Sequence, residues 1–242
     1  MEELPEEIAS LIEALNYSDK RMIRRAAESL ISMAPQFPQL AQRLDQLLGA
    51  RGPESRWPIA YVLVHISPPS SLCLEVLKET LDSKDPDIRW AISLLLVRLA
   101  KNDKAIVALF LDLLKSGTPT QRRMAVYCLR DLNLTDSASL RMLVESLEDP
   151  DPLVRVAIVT SLKTRAGMSK DYLDRLLRLF LQDPDSRVRH TLALTLAELG
   201  STSDEIHSAL ANASRTDDPH LKKAALAALN LLKKKAHPPT AK

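Results

Sequence analysis

The sequence predicts an all-α protein, a solenoid of about seven stacked helix pairs. Three observations lead there. A basic residue recurs near the start of a helical segment at Arg24, Arg56, Arg89, Arg122, Arg155, Arg189 and Lys222, with successive gaps of 32, 33, 33, 33, 34 and 33 residues. A period of that size marks one supersecondary unit repeated along the chain. After each basic residue, a small or apolar residue follows at +3 (Ala27, Ile59, Ile92, Ala125, Ile158, Leu192, Ala225) and a large aliphatic at +7 (Ile31, Leu63, Leu96, Leu129, Leu162, Leu196, Leu229). Offsets of 3 and 7 share one helical face. Finally, Leu and Ala dominate, strict strand-like alternation is absent, and the 5 glycines are outnumbered by 15 prolines. That balance favours helices joined by short turns.

The elements follow in order. First helices of each pair are expected at about 4–15, 38–49, 70–82, 103–115, 137–148, 169–182 and 203–213. Second helices are expected at about 20–34, 54–66, 86–100, 119–131, 151–165, 185–199 and 218–235. The turns carry Asp, Pro and Ser. Asp or Ser before a helix accepts its free first-turn amides, and proline at the first position lacks a donor that would be unsatisfied there anyway. Asp149-Pro150-Asp151 and Asp183-Pro184-Asp185 are the clearest such turns, with Asp85-Pro86 and Asp218-Pro219 close behind. The period never breaks, so residues 1–242 read as a single array. The loosest joint is the cluster Gly49, Gly52, Pro53 and Pro58. Residues 236–242, ending His237-Pro238-Pro239-Thr240-Ala241-Lys242, read as a flexible tail.

The bulk numbers exclude several classes. With 242 residues and an apolar fraction of 45%, the chain can bury a large core and is not disordered. The charge is balanced, 33 basic against 31 acidic for a net of +2, whereas a dedicated nucleic-acid binder is usually more basic. Two cysteines, Cys73 and Cys128, make neither a disulfide framework nor a zinc set. Both fall inside helices and read as buried structural thiols. The five histidines are scattered, and no phosphate-binding glycine loop or nucleophile elbow occurs. No cofactor or metal is expected. The first residues are acidic and the longest nearly apolar stretch, Trp90 to Val97, is too short to span a bilayer. A reducing cytoplasm is the expected compartment, with no membrane partner.

The segments Asp149 to Leu162 and Asp183 to Leu196 resemble the HEAT repeat, in the short form of bacterial and phycobilisome-lyase-like families. The shared pattern is Asp-Pro, then Val-Arg, then Ala or an aliphatic residue, then Leu. The resemblance covers nearly the whole chain, although repeats one, two and four lack the Asp-Pro pair. It implies a right-handed armadillo-like α-solenoid of about seven HEAT-like helix pairs, with second helices lining a concave face. It also implies that turn aspartates and the seven basic residues form a structural ladder between repeats. Asp151, Asp185 and Asp218 are the expected acidic partners, since a cation at a helix start opposes its own helix dipole.

The residue after each ladder position, and the one four further on, should face outward. Those pairs are Arg25/Ser29, Trp57/Tyr61, Trp90/Leu94, Arg123/Tyr127, Val156/Thr160, His190/Leu194 and Lys223/Ala227. Four of the nine aromatic residues fall there. Trp57, Tyr61, Trp90, Arg123 and Tyr127 are therefore the candidate partner-binding residues, with His65 and Arg98 at the rim. Trp, Tyr and Arg are the types most enriched at binding hot spots. Alternatively, the tryptophans fill gaps between helices. The function expected is a non-catalytic scaffold holding a protein or peptide partner in its groove. The competing reading is a nucleic-acid-binding HEAT solenoid, with a relationship to alkyl-base DNA glycosylases. There Trp57, Trp90 and Arg123 would hold the lesion, and Asp131 is the nearest candidate acid. Bilin lyase activity is permitted by the repeat type, but no residue demands it.

Overall fold

Caps and prolines place the helix starts. Asp19, Asp85, Asp103, Asp151, Asp185 and Asp218 each accept a first-turn amide of the following helix, while Thr118 and Gln121 form a reciprocal capping box. Pro86, Pro119, Pro152 and Pro219 occupy first helical positions. The computed structural model describes residues 4–52, 55–133, 137–162, 170–199 and 203–236. The segment 237–242 of the expected tail lies outside them, and no strand occurs within them.

The chain gathers into two compact units, Met1–Asn102 and Asp103–Lys242. The first holds α1 (Glu6–Ala14), α2 (Lys20–Met33), α3 (Gln39–Ala50), α4 (Trp57–Ile66), α5 (Ser71–Thr80) and α6 (Pro86–Ala100). The second holds α7 (Lys104–Ser116), α8 (Pro119–Asp131), α9 (Ser137–Glu145), α10 (Pro152–Leu162), α11 (Lys170–Gln182), α12 (Ser186–Leu199), α13 (Asp204–Ala213) and α14 (Pro219–Ala236). Short 3-10 turns follow α2 and α9. In the first unit α2 packs on α4, and α3 on α5. In the second, α8, α10, α12 and α14 pack each on the next, and α11 packs on α13. Pairs such as α1 with α2 and α7 with α8 close each repeat. This is the packing of an α-solenoid, fourteen helices in seven pairs among the described residues.

The core follows the sequence offsets. All seven +3 residues are buried, as are Leu63, Leu96, Leu129, Leu162 and Leu196 at +7. Each such leucine stabilises the stack by roughly 1.5–3 kcal/mol. Ile31 and Leu229 are only half-buried. For Ile31 the cause is register. The cap of α2 is Asp19, five residues before Arg24, whereas Asp85, Asp151, Asp185 and Asp218 stand four before their basic residues. The matching position in repeat one is thus Ile23, which is buried, and the matching core residues are Ala26 and Leu30, 2% and 0% exposed. The first interval becomes 33 residues, not 32.

Helix α4 starts at Trp57 rather than near 54, and Pro58 sits buried in its first turn. Gly117, after α7, is a close approach: a Cβ there would lie 2.6 Å from the Leu113 carbonyl oxygen.

Candidate partner-binding face

The basic residues sort into distinct environments. In the second unit, Arg122 on α8 grips Asp149 with Nε at 2.7 Å and Nη2 at 2.8 Å, and Nη1 donates to the Gly117 carbonyl at 2.8 Å. Arg155 on α10 repeats this with Asp183 at 2.8 and 2.7 Å, its Nη1 reaching the Asp149 carbonyl at 2.7 Å. Arg189 on α12 reaches Asp218 through Nη2 at 3.1 Å and the Asp183 carbonyl at 3.2 Å. In the first unit Arg56 donates to the Arg51 carbonyl at 2.7 Å, and Arg89 to the Ser83 carbonyl. Each guanidinium turns back onto turn carbonyls, which offsets the unfavourable position at its own helix start.

Three expected details change. Arg24 points to solvent and pairs with Glu28 in its own helix at 2.8 Å, because the ladder position of that repeat is Ile23. Lys222 is exposed. Asp151 and Asp185 do not hold the ladder arginines; they are spent on capping α10 and α12, and Asp185 also pairs with Arg187 at 2.7 Å. That contact is the main cause holding the Asp185 carboxyl at about 2. The ladder partners are instead Asp149 and Asp183, two residues earlier, whose carboxylates also accept the amides of Asp151 and Asp185.

Asp218 explains the division of labour. Threonine, Thr216, stands where Asp149 and Asp183 stand in the preceding repeats. Asp218 must therefore cap α14 and hold Arg189 at once. It makes a single contact to the guanidinium, and Arg189 Nε is left buried without a partner.

The outward positions form stripes at i, i+4 and i+8 along the second helices. On α6 these are Trp90, Leu94 and Arg98, all exposed, with Trp90 44% and Leu94 50% accessible. On α4 they are Trp57, Tyr61 and His65, all half-buried. The rings of Tyr61 and His65 lie 4.6 Å apart, and His65 Nδ1 donates to the Tyr61 carbonyl at 2.8 Å. Burial pulls the His65 imidazole below its ordinary value, and the charge of Arg98 adds to that, so Arg98 on α6 lies within electrostatic reach of His65 on α4. On α2 the matching pair is Arg24/Glu28 rather than Arg25/Ser29. The Glu28 hydrogen bond raises the Arg24 pKa, and Tyr61 adds to the shift. The Arg24-Arg25 doublet concealed this register; the Asp19 cap was the feature that could have revealed it.

Arg123 and Tyr127 lie on α8, in the second unit, and both are half-buried. Arg130 sits 5.1 Å from the Tyr127 ring centre and pairs with Asp131 at 2.8 Å. Cys73 and Cys128 are buried thiols. Burial pushes the Cys73 thiol up to about 12. Among the described residues no cluster of three or more His, Cys, Asp or Glu side chains could hold a metal ion, and no helix is long and apolar enough to cross a membrane.

The HEAT-repeat family matches residues 74–163, 107–197 and 140–230. The overlapping matches run from 74 to 230, well over half of the chain. The chain belongs to the HEAT-repeat family. Among solved structures it is similar to a Kap121p mutant, at 17% identity and a TM-score of 0.60 over 95% of this chain and 29% of that one. It is also similar to Cex1p, at 14% identity and a TM-score of 0.54 over 97% of this chain and 54% of that one. The chain thus spans about half or less of the length of either protein, and these likenesses concern the fold. No curated protein matches the chain.

Proposed function

We propose that this chain is a non-catalytic protein-interaction scaffold that binds a protein or peptide on the exposed face of its second helices. Trp57, Tyr61 and Trp90 are the contacts in the first unit, and Arg123 and Tyr127 those in the second. The observation that carries this reading is the Trp90/Leu94 pair. Both stand about half exposed on a helix whose opposite face carries Ile92 and Leu96 at 0% exposure. The part of each side chain that stays in water adds nothing to folding. Buried against a partner, the exposed half of each would contribute roughly 1 kcal/mol, about half of the value for full burial. HEAT-family membership supports the reading, since stacked repeats present extended binding surfaces, and the net charge of +2 favours a protein over a nucleic-acid partner. The Asp-Pro-x-x-x-Val-Arg turns support a place among the short bacterial repeats, and the cysteine usage supports a reducing cytoplasm.

The test is affinity capture from native cell extract with nuclease present, comparing wild type with Trp57→Ala/Trp90→Ala. The reading expects a polypeptide held by wild type and lost by the variant. Loss of all captured material on nuclease treatment would contradict it and support nucleic acid.

A further inference from the structure

The stripes on α4 and α6 have a charge pattern as well as an apolar one. Between them these helices contain a single carboxylate, Asp87, and Lys20 holds it at 2.8 Å. On the adjoining α2, Glu28 is held by Arg24 at 2.8 Å. Both acids therefore already have a basic partner, Lys20 being shared with Asp85 at 2.6 Å. Not every cation has an acidic one. Arg98, two turns beyond Trp90, is exposed and makes no ion pair or hydrogen bond among the described residues; Arg25 on α2 is in the same condition. Arg98 suits the negative end of its helix, yet its five donors face water.

Resting on the scaffold reading above, we propose that the α4–α6 face takes a polypeptide segment carrying aliphatic or aromatic anchors flanked by Asp or Glu. The anchors lie over Trp90 and Leu94 beside Trp57 and Tyr61. A carboxylate follows at the spacing of Arg98. Apolar contact supplies most of the affinity, and the arginine sets which segments are accepted, as charges at an interface rim do. A basic segment would set a like charge against the unpaired Arg98 beside the apolar anchors. A nucleic-acid strand would need cations repeated along its phosphates, and here apolar side chains occupy those places.

The probe is a displayed library of random 16-residue peptides, panned on the full chain as wild type, Arg98→Glu, and Trp90→Ala/Leu94→Ala. All three positions are exposed, and thermal melts confirm that the variants fold. Wild type should enrich peptides with Asp or Glu next to Leu, Ile, Phe or Trp. Individual winners should lose about tenfold in affinity on Arg98→Glu and be lost on Trp90→Ala/Leu94→Ala. The Arg98→Glu pool should turn towards Lys and Arg. A wild-type pool rich in basic residues, or winners indifferent to Arg98→Glu, overturns the acidic-partner proposal while leaving the scaffold reading intact, provided binding still needs Trp90 and Leu94. Winners indifferent to Trp90→Ala/Leu94→Ala place binding away from this face and overturn both. No enrichment on wild type overturns the proposal.

Discussion

Replacing Arg155 by alanine should be among the most damaging single changes available in the second unit. Its side chain is 9% exposed and that of Asp183 is 2% exposed. The substitution removes two charged hydrogen bonds to Asp183, at 2.8 and 2.7 Å, and two donations to the carbonyls of Asp149 and Pro150, at 2.7 and 3.3 Å. It leaves Asp183 buried with only the Asp185 amide for support. Removing one partner of a buried pair costs about 3–5 kcal/mol, because an uncompensated charge stays behind. Arg24→Ala is the control: that arginine is 80% exposed and paired within its own helix, so its loss should leave the unfolding midpoint nearly unchanged. Urea unfolding followed by circular dichroism measures both. Neighbouring repeats hold each other in place, so Arg155→Ala should lower the midpoint or split the transition at the α10–α12 contact. The double variant Arg155→Met/Asp183→Asn should recover much of the loss, since no charge remains buried. If Arg155→Ala lies within about 1 kcal/mol of Arg24→Ala, the ladder does not hold the repeats together and the reasoning fails.

Thr216→Asp should stabilise the chain by about 1 kcal/mol by giving buried Arg189 Nε the acceptor that Arg122 and Arg155 already have; a lower melting temperature would show that Asp218 leaves no room for a second acid. Leu30→Ala should cost about 2–5 kcal/mol and Ile31→Ala clearly less, because Leu30 is fully buried and Ile31 is not; equal losses on chemical denaturation would restore the register that pairs Arg24 with the ladder. Cys73, buried with its thiol raised to about 12, should resist iodoacetamide at pH 8 in the native protein and react fully in urea. Rapid native labelling at Cys73, read by peptide mass mapping, would contradict that burial.

Much of the fold was legible because one period carried both the caps and the core offsets. Helix α6 spans 86–100, as the Asp85-Pro86 cap and the run to Leu96 predict. What was not legible has physical causes. In repeat one, Ala26-Ala27 and Leu30-Ile31 fit two registers equally well, and a doubled arginine drew the alignment one residue too far. In the Asp-Pro-Asp turns both acids lie close to the arginines in sequence. Only geometry shows that the second is consumed as a cap and the first, aimed at the previous repeat, takes the guanidinium. The late start of α4 at Trp57 follows a turn that lacks the Asp-Pro cap. For the binding face, alternation between outward and core positions was readable, and so was the clustering of aromatics. The pairing of Glu28 with Arg24 and of Asp87 with Lys20, beside which Arg98 stands without an acidic partner near Trp90 and Leu94, depends on side chains brought together by folding.

The most direct test of the account is photocrosslinking in the native cell, with benzoylphenylalanine placed at Leu94 on the α6 stripe or at Leu72 on α5, both of which are exposed. The account predicts light-dependent, nuclease-resistant adducts to a polypeptide from position 94 and none from position 72. Adducts from position 72 alone, or adducts from position 94 that nuclease removes, would contradict it.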